Sequence, residues 1–163
     1  MDADIRLMTR QDVPLVHNIE CICFRSPWSK MALLGELRND VAHYHVLTCD
    51  GRIIGYAGMW VLFDEAHMTN IAVLPEYRSR GFATRLMLSM METASLLGAT
   101  SMTLDERENN LTAQRMYGKL GFTQNGYRPR YYGDTGEGAL LLWNTDIQNT
   151  IKSNGREWNH DTV

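Results

Sequence analysis

At 163 residues, with 44% hydrophobic and 21% charged residues, the chain has the size and balance of one globular domain. A net charge of −3 and a pI near 5.9 argue against a general nucleic-acid binder. A mean hydropathy of −0.30, with no apolar run approaching the roughly 18 residues of a membrane span, argues against insertion in a bilayer. The start, Met-Asp-Ala-Asp-Ile-Arg-Leu, lacks the order of a secretory signal, so a cytoplasmic protein is expected. Cys21, Cys23 and Cys49 are an odd number with no second pair to complete a zinc site. They read as buried or half-buried free thiols, and no metal site is expected.

In chain order, residues 5–8 read as a first strand. Asp12 is placed as the N-cap of a helix carrying Val13, Pro14, Val16, Ile19 and Ile22, with proline in the first turn. After a break at 24–29, Ser29 caps a second helix in which Leu33, Leu34 and Leu37 recur at helical spacing. Strands at 44–49 and 52–60 flank Asp50-Gly51, a two-residue hairpin turn because both positions tolerate positive φ. A turn at 63–66 leads to a strand at 67–73, ended by Leu74-Pro75. Phe82, Leu86, Met90, Ala94 and Leu97 form the stripe of a long helix closed by Gly98. A short strand at 101–104, a helix at 112–120 closed by Gly121, and strands from 122 and over 139–143, joined through the Gly-rich residues 133–138, complete a domain at 1–149. Residues 150–163 are expected to be a loose polar tail. The order β-α-α-β-β-β-α-β-α-β-β predicts an α/β (α+β) fold with a mixed sheet.

The segment with most chemistry runs from Asn70 through Ile71, Ala72 and Val73 to Leu74-Pro75, then Arg78-Ser79-Arg80-Gly81 and the helix opening Phe82-Ala83-Thr84. A helix start offers free N–H groups to an anion, a glycine lets a phosphate approach, and the arginines add positive charge. Arg78-Ser79-Arg80-Gly81-Phe82-Ala83 resembles the R/Q-x-x-G-x-G/A signature of the GNAT superfamily of acetyl-CoA-dependent N-acetyltransferases. Asn110 through Ala113 and Tyr117 to Gly121-Phe122 is similar to that superfamily's N-x-x-A-x-x-x-Y-x-x-x-G-F. Pro27-Trp28-Ser29 and Arg128-Pro129-Arg130-Tyr131-Tyr132 resemble segments of its RimI-like branch, the ribosomal-protein alanine N-acetyltransferases. The likeness spans roughly residues 4–147.

The resemblance implies the GNAT fold, with a mostly antiparallel central sheet and about four flanking helices, and acetyl-CoA as cosubstrate. It implies that Ile71, Ala72 and Val73 line the cofactor, the Val73 N–H polarising the thioester carbonyl. Arg78 and the backbone of Ser79, Arg80, Gly81, Phe82, Ala83 and Thr84 would hold the pyrophosphate. Asn110 would touch the cofactor, Tyr117 would protonate the departing thiolate, and Trp28, Tyr131 and Tyr132 would line the acceptor groove. The acceptor would be a peptide N-terminus, such as that of a ribosomal protein, taken by a monomer or homodimer.

The general base is where the chain departs from the family's L-E-V-R and reads Leu104-Asp105-Glu106-Arg107. Counting back from Asn110 puts Asp105 at the base position, one methylene short. Glu106 is the second candidate, and continued alternation from Met102 and Leu104 would turn it onto the apolar face. Alternative functions are acetylation of a small amine or a lysine, and a catalytically weak acetyl-CoA sensor.

Overall fold

The structure, a computed structural model, describes residues 2–160, with side chains to 154. The chain divides into two compact units. One comprises the chain up to Val61 with Thr69–Met90, the other Leu62–Met68 with the chain from Met91 onward.

In the first unit, β1 (Ala3–Leu7), β2 (Ala42–Cys49), β3 (Arg52–Leu62) and β4 (Glu65–Val73) are neighbours in that order, with β1–β2 and β2–β3 antiparallel. The β2–β3 hairpin turns at Asp50 and Gly51 with φ of 50° and 81°, the geometry expected from the sequence. Helices α1 (Val13–Cys23) and α2 (Lys30–Leu37) follow β1, and α3 (Phe82–Leu96) begins in this unit. Ser29 caps α2 by accepting from the Ala32 N–H at 3.1 Å. Asp12 precedes α1, but its carboxylate does not cap that helix. It takes both Arg6 Nη groups at 2.7 and 2.9 Å and the Thr9 N–H at 2.7 Å, and the Arg6 bonds pull its pKa down to about 2. The core here is Val16, Ile19, Leu33, Leu47, Ile54, Tyr56, Met59, Leu86, Met87 and Met90; Ile22, expected on the apolar stripe, is exposed. Of the thiols, Cys49 is buried and Cys23 half-buried, while Cys21 is exposed, against expectation.

The second unit orders the start of β4, β5 (Ser101–Arg107), β7 (Ala139–Asn144) and β6 (Thr123–Arg128). β4 pairs parallel with β5, from Glu65 opposite Ser101. The β5–β7 and β6–β7 pairs are antiparallel. Helix α4 (Leu111–Lys119) follows β5, and α5 (Ile147–His160) follows β7. The last helix corrects the expected loose tail. Residues 150–160 are helical, and 161–163 lie outside the described residues. Asp146 Oδ1 accepts the Asn149 N–H at 3.1 Å to start α5, and Ile147 is fully buried. Asn144 Nδ2 and the Thr150 hydroxyl both donate to the Leu120 carbonyl, at 2.8 and 3.1 Å. Gly121 makes room for this knot. At φ 88° a Cβ there would stand 2.9 Å from Thr150 Oγ1 and 3.0 Å from Asn144 Nδ2.

Candidate active site

The cofactor segment of the first unit is built at the end of β4. Pro75 cannot continue a ladder, and a single 3-10 turn, Pro75–Tyr77, redirects the chain. Ser79 and Gly81 then take φ of 62° and 81°. Left-handed residues on either side of Arg80 are of the kind that turns neighbouring N–H groups toward one concave side, as in an anion-binding nest. The Arg85 N–H bonds to the Gly81 carbonyl at 3.1 Å, so the N–H groups of Phe82, Ala83 and Thr84 are those of an opening helical turn. A Cβ built on Gly81 meets nothing within 4 Å. Glycine is therefore required by backbone conformation, and the space beside it is open to a ligand. These features fit the pyrophosphate of acetyl-CoA. Ile71 is half-buried, Ala72 and Val73 are buried, and Phe82 anchors the helix start in the core. Arg80 lies over the Tyr77 ring at 5.7 Å. The Arg78 Nε donates to the Val73 carbonyl at 3.0 Å and its Nη2 approaches Cys23 Sγ at 3.5 Å, closing the loop onto the strand.

Next to this segment in the chain, Asn70 belongs to a buried polar network. Glu20, 1% exposed, accepts from Tyr56 Oη and from Asn70 Nδ2 (3.1 Å) through Oε1, and from the Trp28 N–H at 3.3 Å through Oε2. His17 Nδ1 donates to the Trp28 carbonyl at 2.9 Å, so both backbone groups of the half-buried Trp28 are held by α1. Tyr44 Oη extends the network from Asn70 Oδ1 (3.0 Å) to Glu36 (3.1 Å), which also accepts from Trp60 Nε1 at 2.7 Å. Burial raises the Glu20 pKa, against the lowering by its donors. Sequence reasoning missed Glu20. Its signal was a carboxylate four residues after Val16 on the buried stripe of α1.

The second unit carries the titratable cluster. The β5–β7 register runs without a shift from Met102 opposite Asn144 to Arg107 opposite Ala139. Glu106 therefore shares a face with buried Met102 and Leu104, and Asp105, opposite Leu141, takes the other face. Burial pushes the Glu106 pKa up to about 7, against the lowering by two donors on Oε1, the Arg107 N–H at 3.0 Å and Asn110 Nδ2 at 3.1 Å. Asn110 also caps α4, its Oδ1 accepting from the Ala113 N–H at 3.2 Å. Tyr117 is buried on α4. Its phenol is shifted upward by burial first and then by the fields of Glu106 and Tyr132. Tyr132, half-buried between β6 and β7, is raised by burial and then by Glu106 and Asp105. Tyr131, beside it in the chain, is exposed and meets the Tyr132 ring edge-on at 5.1 Å. Of the predicted residues of this unit, Asp105, Glu106, Asn110, Tyr117 and Tyr132 thus form one connected group, with Glu106 acting on both phenols and Asp105 on Tyr132.

Among the described residues no cluster of three His, Cys, Asp or Glu could hold a metal, and no helix is long and apolar enough to cross a membrane.

Comparison with known proteins places the chain among relatives. The chain is 40% identical over 144 residues, 88% of its length and 95% of the other's, to a Bacillus subtilis protein named as a candidate [ribosomal protein bS18]-alanine N-acetyltransferase. It is 33% identical to the Haemophilus ducreyi [ribosomal protein bS18]-alanine N-acetyltransferase over 78% of this chain and 88% of that one. The crystal structure of the Escherichia coli ribosomal-protein-S18-alanine N-acetyltransferase superimposes with a TM-score of 0.81 at 27% identity, covering 87% of this chain and 92% of that one. Residues 13–122 match the Acetyltransferase (GNAT) family, and the chain belongs to that family.

Proposed function

We propose that this chain transfers the acetyl group of acetyl-CoA to the α-amino group of a protein N-terminus, with an alanine at the start of a ribosomal protein as the acceptor its relatives point to. That acceptor would place the enzyme in the cytoplasm. Acetyl-CoA supplies an activated thioester. The nest at Ser79 and Gly81 and the opening turn of α3 are assigned to its pyrophosphate, and the Val73 N–H to the acetyl carbonyl oxygen.

The observation that carries the reading is the Glu106 cluster. A base must be unprotonated at working pH and still take a proton, so the best pKa lies near 7. Glu106 at about 7 meets that condition. Moving a proton to it from an α-ammonium of pKa about 7.7–8.0 costs about 1 kcal/mol, and from a lysine at about 10.4 between about 4 and 5 kcal/mol. The acidity of the amine, whichever carboxyl takes the proton, makes an N-terminal amine an easier acceptor than a lysine side chain. Tyr117, kept protonated by burial and by the neighbouring carboxylate, is assigned the proton that the thiolate takes on leaving. Asn110 is assigned the orientation of Glu106, which the 3.1 Å bond supports. Trp28, Tyr131 and Tyr132 are assigned to the acceptor, their large faces and polar edges suiting a peptide backbone.

Thiol release from acetyl-CoA, measured with a peptide bearing a free N-terminal alanine, the same peptide Nα-blocked with an internal lysine, and a polyamine, tests the proposal. Release with the first alone is expected. Preference for the lysine peptide or the polyamine would reassign the acceptor, and binding of acetyl-CoA without release would identify a sensor.

A further inference from the structure

We infer that Arg107 is a positioning residue, holding the β6–β7 connection and the Tyr132 it carries in the conformation that receives the acceptor amine. The acceptor half of this inference rests on the function proposed above.

Residues 129–138 contain Gly133, Gly136 and Gly138, and so have much conformational freedom to lose on ordering. Within the connection, the Tyr132 N–H bonds to the Glu137 carbonyl at 3.0 Å and the Gly136 N–H to the Tyr132 carbonyl at 2.8 Å. Arg107, at the end of β5, provides the external restraint. Its Nη1 and Nη2 meet the two Asp134 oxygens at 3.0 and 2.9 Å, a fork-to-fork pair. Nη1 also donates to Thr135 Oγ1 at 3.2 Å and to Glu137 at 3.3 Å. The guanidinium carbon, Cζ, lies over the Tyr132 ring, 4.1 Å from its centre. One side chain thus fixes both ends of the 132–137 turn and the aromatic ring on it. Two carboxylates neutralise its charge, so Arg107 acts on the loop rather than as a docking cation for an acidic ligand.

The last residue of the connection is tied separately. Glu108 Oε1 accepts the Gly138 N–H at 3.0 Å, and the Glu108 N–H donates to the Gly138 carbonyl at 3.1 Å. The bond from Arg107 to Glu106 comes from the backbone N–H and survives any side-chain change. Altering the guanidinium should therefore loosen 132–137 while leaving Gly138 and the donors on Glu106 in place.

Arg107→Lys keeps the charge but loses the fork and the planar stack. Asp134→Asn removes the fork from the loop side. Both are compared with wild type by amide hydrogen exchange and by steady-state acetylation of a synthetic peptide with a free N-terminal alanine. For each variant the amides of Tyr132 and Gly136 are expected to exchange at least about tenfold faster, with Gly138 unchanged, and the peptide KM to rise about tenfold. The kcat and the pH limb near 7 should stay within about twofold of wild type, since Glu106 keeps a neighbouring cation and its donors in Arg107→Lys. Unchanged loop exchange overturns the clamp, and faster exchange with an unmoved peptide KM overturns its role in acceptor recognition. A wild-type enzyme that acetylates no α-amine would refute the proposed function and the acceptor role together, while the exchange data still decide the clamp.

Discussion

Replacing Glu106 by glutamine should make the protein more stable at alkaline pH and far less active. The amide keeps the shape of the carboxyl and can still accept the Arg107 N–H and Asn110 Nδ2 through its oxygen. What it loses is the charge and the affinity for a proton. The carboxyl pKa is raised in the folded protein from 4.5 to about 7. The folded state thus favours the protonated form, and the stability this group contributes is complete below about pH 4.5 and lost as pH rises through about 7. The difference in pKa corresponds to at most about 3 kcal/mol. Glutamine cannot ionise, so the variant and wild type should melt together near pH 4. By pH 8 the variant should melt higher, by up to roughly 5–10 °C for a protein of this size. Turnover should fall by about 100-fold or more, the contribution of a positioned base. The wild-type kcat/KM limb near pH 7 should disappear, leaving only that of the substrate amine. Asp105→Asn is the control, with mild effects expected on both measurements. Thermal melts across pH 4–8 and single-turnover rates at fixed pH check the two halves. A Glu106→Gln enzyme with near-wild-type turnover refutes the base assignment, and one with no gain in melting temperature at pH 8 refutes the buried, proton-sharing carboxylate behind it.

Gly81→Glu should abolish acetyl-CoA binding in calorimetry, because it forces a side chain into a φ of 81° and adds a negative charge to the anion nest; unchanged affinity would place the cofactor elsewhere. Tyr117→Phe should leave cofactor affinity nearly intact and lower turnover by about 100-fold or less, since the thiolate is a fair leaving group; unchanged turnover where chemistry limits the rate would remove Tyr117 from the mechanism. Glu20→Gln should raise the peptide KM several-fold with acetyl-CoA affinity preserved, because two donors hold the amide oxygen at the Oε1 position and leave its NH2 facing the Trp28 N–H. A peptide KM equal to wild type would show that Trp28 needs no such anchor.

Elements set by local chemistry were legible in the sequence, and those set by long-range polar contacts were not. Asp50-Gly51 could be read as a hairpin because two adjacent positive φ values leave few residues to choose from. The stripe Phe82, Leu86, Met90 and Ala94 could be read as a helix because it repeats on one face, and all four are buried. At Arg78 to Ala83 the turn and the helix start could be read because Gly81 takes a φ of 81° and α3 opens at Phe82. Helix α5 escaped because, among its described side chains, only Ile147 and Thr150 are buried, and part of its attachment is the Asn144–Thr150–Leu120 knot, which no periodicity announces. Asp12 reads as a cap in the sequence because its rival claimant, Arg6, lies on a strand whose direction a sequence does not give. Glu20 had a visible anomaly, a charge on an apolar stripe, but its partners Tyr56 and Asn70 stand 36 and 50 residues away.

The choice between the two adjacent acids turns on strand parity. Neighbouring side chains leave a strand on opposite faces, so Asp105 and Glu106 cannot exchange roles unless the strand bulges. The unbroken register with β7 through Arg107 shows no such bulge. The chain therefore places a carboxylate on the face of Met102 and Leu104, where an ion without partners would be costly. Two N–H donors offset part of that cost, and they come from the residue that follows Glu106 and from the cap of the next helix. The turn from β5 into α4 thereby balances burial against hydrogen bonding, and the balance falls near pH 7. Burial favours the protonated form of this carboxyl and its two donors favour the ionised one. The carboxyl is suited to taking a proton from an amine whose own pKa is about one unit higher. Tyr117 and Tyr132 add to the case, because their phenols both feel Glu106 and both are held protonated. One carboxyl able to take a proton and a buried phenol able to give one are what transfer between an amine and a thioester requires. Asp105 still stands at the position counted back from Asn110, and Glu106 adds a second carboxyl on the opposite face of β5, where burial sets its pKa, so the single-residue amide variants decide which of the two takes the proton.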